Sequence, residues 1–254
     1  GEIDAALIYS YGKSSPGDLP NVLTTQLEPY SVAPLWPDAV SIAGLQARAL
    51  LDSGKATEAD LAEVAVRNRA NAKSNPKAQL AGDYTVEEIL AEPYLANPLR
   101  KHDCPPITDG AAAVILAAGD LARELSDRPA WIRGLDHRVE AHALGVRDLT
   151  VSASTTLAGE KAGVAGGKVD FAELHAPFTH QELIVAEALG LGDDVAINPS
   201  GGPLAANPIM AAGLIRLGEA AERISRGEGD RAVAHATSGP CLQQNLVCVL
   251  EGEG

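Results

Sequence analysis

Residues 102–113 read HDCPPITDGAAA, and residues 114–117 continue the run as VILA. Asp109-Gly110 is a turn dipeptide that stands directly before the apolar part of this stretch. The unbroken run of small apolar residues over 111–117 is typical of a strand that is buried on both faces. The stretch therefore predicts a turn that enters a core strand near the middle of the chain.

Strand and helix signals alternate on both sides of this stretch. Residues 5–9 read as another buried strand, and the 208–225 region reads as a buried apolar helix. Further helices are predicted over about 38–54, 58–74, 119–126, 152–165 and 179–190, with a short one after Thr85. Further strands are predicted over about 131–135, 169–174, 231–237 and 245–251, the last two as a terminal hairpin. This alternation predicts an α/β protein with a layered sheet.

Residues 15–100 interrupt the alternation because they contain no convincing strand. They read as a mostly helical excursion inserted into the first half of the chain. We therefore divide the chain into a first half over 1–129, with the inserted segment at about 15–100, and a second half over 130–254. The strand at residues 5–9 begins almost at once, so we expect a further segment to precede it in the native protein.

Composition excludes several classes of function. The chain has 254 residues and a formal net charge of −14, without a clustered basic face, which argues against a nucleic-acid partner. Its three cysteines form no CxxC pair and no zinc-type spacing, so no metal site is predicted. An odd number of cysteines without a signal peptide favours a cytoplasmic protein. No apolar run approaches the roughly 20 residues of a membrane span.

Four stretches occur in an order that resembles the thiolase superfamily, in its SCP-x or lipid-transfer branch. They are residues 102–113, the ELHAPF run at 173–178, the NPSGG run at 198–202, and VAVRNR at 64–69 with Asn75-Pro76. The resemblance implies a layered α-β-α-β-α fold with an inserted, mostly helical loop domain. It also implies acetyl-CoA acetyltransferase-like chemistry, in which acyl groups are exchanged through a cysteine thioester.

The nucleophile of that chemistry is not expected in this chain. In the family it lies on a C-x-S segment upstream of the strand that here begins at Ala5, and no cysteine precedes Cys104. Cys104 stands in a run that the family uses structurally, and Cys248 lies inside a predicted strand. We expect both to be structural thiols.

The resemblance carries over to four other positions. His175 stands where the family has an Asn or His that holds a catalytic water or polarises the thioester oxygen; the alternative is a structural histidine bound by backbone carbonyls. Gly201 and Gly202 correspond to the floor of the active site, where missing side chains let the backbone approach bound acyl-CoA. Asn207 replaces the His of the family's G-H-P motif, and an amide can donate to an oxyanion but cannot act as a base.

Cys241 lies near the family's C-x-G thiol, although the glycine pattern is lost. It is either a catalytic thiol with His235 as its partner or a small buried thiol. His180 reads as a solvated or helix-packing histidine. The polar group of Asp136, His137, Glu140 and His142 reads as a solvated loop.

These observations lead to two functional hypotheses. The first is a CoA-dependent acyltransferase or C–C lyase acting on acyl-CoA in lipid or steroid side-chain metabolism. Asn207 replaces the His of the family's G-H-P motif, and Ala176 and Pro177 replace the acid and the cysteine of its H-D-C-F motif. These departures favour, within the first hypothesis, a retro-aldolase relative, which recruits a tyrosine as its acid/base. The second is a non-catalytic acyl-CoA-binding or scaffold subunit. In both hypotheses, CoA or acyl-CoA is a substrate rather than a permanently bound cofactor. We expect a homodimer or a thiolase-type oligomer, and the resemblance implies a small OB-fold, zinc-ribbon acyl-CoA-binding protein as a candidate partner.

Overall fold

The computed structural model describes residues 2–253. The strands are β1 (Ala5–Gly12), β2 (Tyr94–Ala96), β3 (Leu99–Arg100), β4 (Gly110–Ala117), β5 (Trp131–Val139), β6 (Phe171–Leu174), β7 (Ala196–Ile197), β8 (Arg231–Ser238) and β9 (Gln244–Glu251). The helices are α1 (Leu19–Thr24), α2 (Ala39–Asp52), α3 (Glu58–Asn71), α4 (Val86–Leu90), α5 (Gly119–Leu125), α6 (Ala153–Ala162), α7 (Thr179–Leu189), α8 (Gly202–Ala205) and α9 (Ala212–Ser225). The predicted alternation of strands and helices is confirmed, including the terminal hairpin of β8 and β9.

The larger sheet has the strand order β5-β9-β8-β6-β7. Strands β6 and β8 are parallel neighbours, and Leu174, the last residue of β6, is paired with His235 of β8. One face of the sheet packs against α2, α6 and α7 through residues such as Leu174 and Val233. The other face packs against α9 through Phe171 and Ala234. The residues that follow β6 and β8 therefore emerge together at one edge of the sheet.

Strands β1 and β4 form a separate antiparallel ribbon in which Leu7 is paired with Ile115. One face of the ribbon lies against α9, so this helix is sandwiched between the two sheets. The prediction that both strands are buried on both faces is wrong for the described residues. Leu7, Tyr9 and Ile115 are 65%, 69% and 68% exposed on the outer face of the ribbon. A ribbon of two strands has only one face against α9, and an apolar sequence alone does not show whether a second layer covers the other.

The segment between β1 and β4 is mostly helical, as predicted. Helices α3 and α4 both begin with a complete capping box, formed by Thr57 with Asp60 and by Thr85 with Glu88. The short strands β2 and β3 were missed in the prediction that this segment holds no strand. They pair around Asn97-Pro98, and strands of three and two residues are too short to show a period.

Helix α9 begins later than predicted, at Ala212 rather than near Pro208. Asn207 stands directly before Pro208, and the helical region is disfavoured for a residue before proline. Residues 209–211 form a turn instead, in which the Ala211 N–H donates to the Pro208 carbonyl at 2.7 Å. The helix is also only half buried: Ala212, Arg216, Ala220 and Ile224 form its buried stripe at a spacing of four residues. The predicted start of this helix at residue 208 and its predicted burial on all sides are therefore both wrong.

Candidate active site

A cavity of about 470 Å³ opens at the carboxyl ends of β6 and β8. His175, Asn207 and Cys241 all line it, so the structure brings three predicted site residues together. Most of the remaining lining is apolar and comes from five stretches of the chain; it includes Leu19, Leu23, Val40, Ile107, Phe178 and Ile209. No Asp, Glu, Lys or Arg side chain among the described residues lines it.

His175 is the residue that follows β6. Its backbone N–H donates to the carbonyl of His235 at 3.1 Å, which extends the pairing of β6 with β8 by one residue. Its ring Nε2 lies 3.2 Å from Asn207 Oδ1, and its Nδ1 lies 3.4 Å from the Thr237 amide nitrogen and 3.2 Å from the Thr237 carbonyl oxygen. Burial, reinforced by the positive charge of Arg216, lowers the pKa of His175 to about 4. The ring is therefore neutral at pH 7.

Asn207 is held by its backbone and by its side-chain oxygen. Its backbone N–H donates to Thr108 Oγ1 at 3.0 Å, and its Oδ1 is directed at the His175 ring. The residue is buried, yet its amide nitrogen has no hydrogen-bond acceptor among the described residues. Since Asn207 lines the cavity, this nitrogen is the donor that a bound molecule can use.

Cys241 lies in the turn between β8 and β9 with a positive φ of 53°. Its thiol donates a weak hydrogen bond to the Ile42 carbonyl, with a sulfur–oxygen distance of 3.6 Å. Burial raises the pKa of Cys241 to about 12, and the nearby Arg147 only partly opposes this shift. Cys241 is therefore a neutral thiol rather than a thiolate.

The predicted pairing of Cys241 with His235 is not present. His235 is buried in β8, and its Nε2 lies 2.9 Å from Asn245 Oδ1 in the neighbouring strand. Burial lowers the pKa of His235 to about 4. The side chain is thus committed to a cross-strand contact that the sequence spacing does not reveal.

The other two cysteines are buried structural thiols, as predicted. Cys104 donates to the Arg100 carbonyl at 3.4 Å, and Cys248 lies in the core strand β9. Burial raises the pKa of Cys104 to about 12 and that of Cys248 to about 11. Every cysteine of the chain is therefore a thiol at neutral pH.

Gly201 and Gly202, which the resemblance assigns to the floor of the active site, serve packing within the protein. Neither lines the cavity that holds His175 within the described chain. Gly201 has a φ of +91°, and a Cβ atom there would lie 2.6 Å from the Cβ of Ala72. Gly202 has a φ of +61°, and a Cβ atom there would lie 2.7 Å from Asn198 Nδ2. Both glycines let this turn pack closely against the end of α3 and against its own first residue.

Asn198, in the same turn, instead fixes β6. Its Oδ1 accepts from the backbone N–H of Leu174 at 2.7 Å, and its Nδ2 donates to Glu182 at 2.6 Å. The NPSGG run therefore acts on the cavity indirectly, by holding the strand that ends at His175.

A buried ion pair beneath His175 was missed at the sequence level. Arg216 donates to Glu173 Oε2 at 2.7 Å and to Ser200 Oγ at 2.7 Å, and all three side chains are buried. Burial raises the pKa of Glu173, and the charge of Arg216 and the hydrogen bonds of Ser200 oppose that shift. Two sequence signals could have indicated the pair. Arg216 is the first charged residue of α9, and Glu173 stands two residues before His175.

Two other histidine and acid predictions need correction. Asp136 and His137 lie in β5, and Glu140 accepts from Ser154 Oγ at 2.7 Å, so this polar group is not a solvated loop. His142 reaches the Gln26 carbonyl at 2.8 Å. His180 packs inside the protein, 3.3 Å from Gln46, so the helix-packing alternative is confirmed and the solvated one is wrong.

Two solved structures share the fold of this chain. The Ltp2-ChsH2(DUF35) aldolase superposes with a TM-score of 0.78 at 21% identity, over 98% of this chain and 72% of that chain. A monomeric SCP2-thiolase like protein type 1 from Mycobacterium smegmatis superposes with a TM-score of 0.78 at 20% identity, over 99% of this chain and 56% of that chain. The predicted thiolase-like layered fold is confirmed.

Curated proteins that are similar in sequence agree with this fold. The chain is 33% identical to the acetyl-CoA acetyltransferase of Methanothermobacter thermautotrophicus, over 78% of this chain and 58% of that protein. It is 28% identical to the benzoylsuccinyl-CoA thiolase subunit BbsB of Thauera aromatica, over 75% of this chain and 57% of that subunit. It is 29% identical to human sterol carrier protein 2, over 73% of this chain and 39% of that protein. The chain is a homologue of these thiolase-like proteins.

The chain covers less than two thirds of the length of each of these curated relatives. No model of a known protein family matches it. None of its five tyrosines lines the described cavity, and residues 2–253 hold no group of three His, Cys, Asp or Glu side chains arranged for a metal ion. Over the same residues, no helix is both long and apolar enough to cross a membrane.

Proposed function

We propose that this chain carries the acyl-binding cavity of an enzyme that makes or breaks a C–C bond beside the thioester of an acyl-CoA. The observation that carries the proposal is the His175–Asn207 pair at 3.2 Å inside an otherwise apolar cavity. Charge that develops on a thioester oxygen needs a fixed hydrogen-bond donor in a site with little water. The amide nitrogen of Asn207 is such a donor.

The neutral His175 ring gives that amide its orientation. The ring tautomer that carries its proton on Nε2 donates to Asn207 Oδ1 and accepts from the Thr237 amide at Nδ1. The NH₂ group of Asn207 is then turned toward the cavity, where it can bind the thioester oxygen in the substrate and the enolate oxygen formed from it. His175 acts in this scheme as a positioning residue, which agrees with its low pKa.

The lining indicates the substrate class. A volume of about 470 Å³ is within the usual range for small-molecule sites, and the absence of charged lining residues in the described chain disfavours a polar acyl group. We therefore propose acyl-CoA from lipid or steroid side-chain metabolism, with its acyl part in the cavity and its CoA part outside.

Between the two routes of the superfamily, the residues of this chain favour a retro-aldol route. In that route a 3-hydroxyacyl-CoA loses its hydroxyl proton and the C2–C3 bond breaks. A carbonyl product leaves, and the thioester enolate takes up a proton at C2. The thioester stays on CoA throughout. All three cysteines of the chain are buried and have raised pKa values, so none of them is a ready nucleophile.

A non-catalytic acyl-CoA-binding or scaffold subunit is the second candidate. It is favoured by a cavity whose ionisable lining groups are one histidine with a pKa of about 4 and two thiols with pKa values of about 12. Such a cavity can bind an acyl group without a base or a nucleophile of its own.

Partners and location complete the proposal. We propose a homodimer that works with a small OB-fold, zinc-ribbon acyl-CoA-binding protein. Support comes from the similar fold of the Ltp2-ChsH2(DUF35) aldolase, in which two components are named together. Three free cysteines suit a reducing compartment, and we propose the cytoplasm.

The test gives the purified protein two kinds of substrate. One is a branched 3-hydroxyacyl-CoA, and the other is a 3-ketoacyl-CoA with free CoA. The products are identified by mass spectrometry. The mass of the intact protein shows whether an acyl-enzyme has formed. We expect cleavage of the hydroxyacyl substrate without an acyl-enzyme. Tight binding of both substrates with no product would favour the binding-subunit alternative. Failure to bind any acyl-CoA would refute both.

A further inference from the structure

The turn at residues 239–243 forms one wall of the cavity and has a strained backbone. Gly239, Pro240 and Cys241 line the cavity within this turn. Cys241 and Leu242 have φ values of 53° and 58°, in the left-handed region that residues with a Cβ atom rarely adopt. Such a conformation persists only where the surroundings over-determine it.

Arg147 supplies two of the contacts that hold the turn. Its Nη2 donates to the Pro240 carbonyl at 2.9 Å, and its Nη1 donates to the Cys241 carbonyl at 3.1 Å. The side chain is only 5% exposed, and its Nη1 lies 3.9 Å from Glu140. One guanidinium group thus bridges two successive carbonyls and keeps a nearby counter-charge.

The next two carbonyls of the turn are held by the same region of the protein. The backbone N–H of Glu140 donates to the Gln243 carbonyl at 2.8 Å. Asn245 Nδ2 donates to the Leu242 carbonyl at 2.7 Å and to Ser154 Oγ at 2.7 Å. Ser154 in turn donates to the Glu140 carboxylate. Four successive carbonyls are therefore bound by one connected polar cluster, in which Arg147 is the only cation among the described residues.

The same turn continues the strand that orients His175. Thr237, two residues before Gly239, provides the backbone groups next to His175 Nδ1. A shift of the turn would therefore move both the Cys241 wall and the partner of the His175 ring.

We infer that Arg147 is a positioning residue of the cavity, which fixes the 239–243 turn and through it the Cys241 thiol and the His175 ring. The inference rests on the proposed function for the role of the cavity in acyl-CoA binding. Lysine would not replace it, because only the planar guanidinium presents two parallel donors to neighbouring carbonyls.

The experiment compares Arg147→Met and Arg147→Lys with the wild type, and uses Arg226→Met as a control. The Arg226 side chain is 62% exposed and lies far from the cavity lining. The rate of iodoacetamide alkylation is measured separately for each cysteine by peptide mass spectrometry. Losing two charge-assisted hydrogen bonds should raise the rate at Cys241 roughly tenfold or more in Arg147→Met. Cys248, in the middle of β9, should keep its wild-type rate, and Arg147→Lys should fall between the two.

The affinity for a long-chain acyl-CoA is measured on the same samples. We expect Arg147→Met to bind several-fold more weakly than the wild type and Arg226→Met to match it. An unchanged Cys241 rate, an equal rise at all three cysteines, or wild-type affinity in Arg147→Met would each overturn the inference. If the wild type itself binds no acyl-CoA, the proposed function fails, and the Cys241 rates still decide whether Arg147 holds the turn.

Discussion

The Nε2 atom of His175 lies 3.2 Å from the Oδ1 atom of Asn207, although 32 residues separate them in the sequence. The contact joins the end of a core strand to the turn that precedes α9. The contact gives the cavity one uncharged ring and one uncharged amide. A typical thiolase has a histidine in the place of Asn207. Chemistry at this site therefore depends on how the amide is oriented rather than on proton transfer by Asn207.

The first prediction concerns the protonation of His175. Nitrogen NMR of the labelled protein should show a neutral ring at pH 7 with its proton on Nε2, because Asn207 Oδ1 accepts there. Burial lowers the pKa of this ring to about 4, so the signal should stay that of a neutral ring down to about pH 5. A proton on Nδ1, donated to the Thr237 carbonyl, would contradict the proposed orientation of Asn207.

The second prediction separates binding from turnover at His175. His175→Ala should leave acyl-CoA affinity within about threefold of the wild type and lower turnover by roughly 10²-fold, because the oxyanion donor loses its orientation. His175→Gln, which can still donate to Asn207, should recover part of the rate. Equal losses of affinity and turnover in His175→Ala would identify the histidine as purely structural.

Local signals in the sequence predicted local structure well. The helix predicted from residue 58 begins there, and its Thr57–Asp60 capping box needs only hydrogen bonds within one helical turn. The β8–β9 hairpin also follows from two apolar runs joined by a short turn. His175 and Asn207 were placed in the site by resemblance to a family, and the cavity does bring them together.

Features that depend on distant partners could not be predicted. The exposure of Leu7 and Ile115 depends on how many layers cover their ribbon, which an apolar sequence does not state. The role of Gly201 follows from its packing against Ala72, a residue of the distant helical segment. The contacts of Arg147 with the 239–243 turn likewise cross the fold and leave no periodic signal in the sequence.

The third prediction is a loss of stability in mild acid. Burial lowers the pKa values of His175, His180 and His235 to about 4, 3 and 4, whereas an ordinary histidine in an unfolded chain has a pKa of about 6.5. Below pH 6.5 the unfolded state therefore binds more protons, so the free energy of unfolding falls as the pH drops toward 4.

The buried acids Glu173 and Asp103, whose pKa values are raised, oppose this trend, but the three histidines outnumber them. Urea unfolding measured from pH 7 to pH 4.5 should show a decrease of a few kcal/mol, as an order of magnitude. His180→Gln should flatten the decrease, since it removes the histidine with the lowest pKa. An equally steep decrease in that variant would contradict the assignment.

The fourth prediction concerns the buried Glu173–Arg216 pair. Glu173→Gln leaves the Arg216 cation buried without a counter-charge, so it should cost about 3–5 kcal/mol of stability at pH 7. Arg216→Met should cost less, because burial already raises the pKa of Glu173 and the carboxyl group can become neutral. Its deficit relative to the wild type should shrink from pH 7 to pH 5.

Chemical denaturation of both single variants and of the Glu173→Gln/Arg216→Met double variant provides the measurement. The double variant should be more stable than the sum of the two losses predicts, because neither charge is left alone. Strict additivity would show that the two side chains are not energetically coupled. The NMR titration of His175 in Arg216→Met should also move to higher pH, since the Arg216 charge contributes to the low pKa of that ring.

The last prediction uses Asn207, the position at which this chain departs from the thiolase motif. If the cavity served ordinary thiolysis, restoring a histidine there would supply a base, an effect worth roughly 10²–10⁴-fold. The proposed retro-aldol route needs a donor and no enzyme thioester, so Asn207→His should give no gain in thiolysis of acetoacetyl-CoA. It should lower hydroxyacyl-CoA cleavage, because a ring in place of the amide also disturbs the contact with His175.

Asn207→Asp is the matched control, since it keeps the size of the side chain and replaces the donor with a negative charge. It should lower cleavage at least as strongly as Asn207→His while leaving the fold intact, because the Thr108 hydrogen bond uses only the backbone N–H of residue 207. A gain in thiolysis by Asn207→His, together with an acyl-enzyme on the intact protein, would contradict the retro-aldol route. It would show that the cavity is a thiolase site held inactive by a single amide.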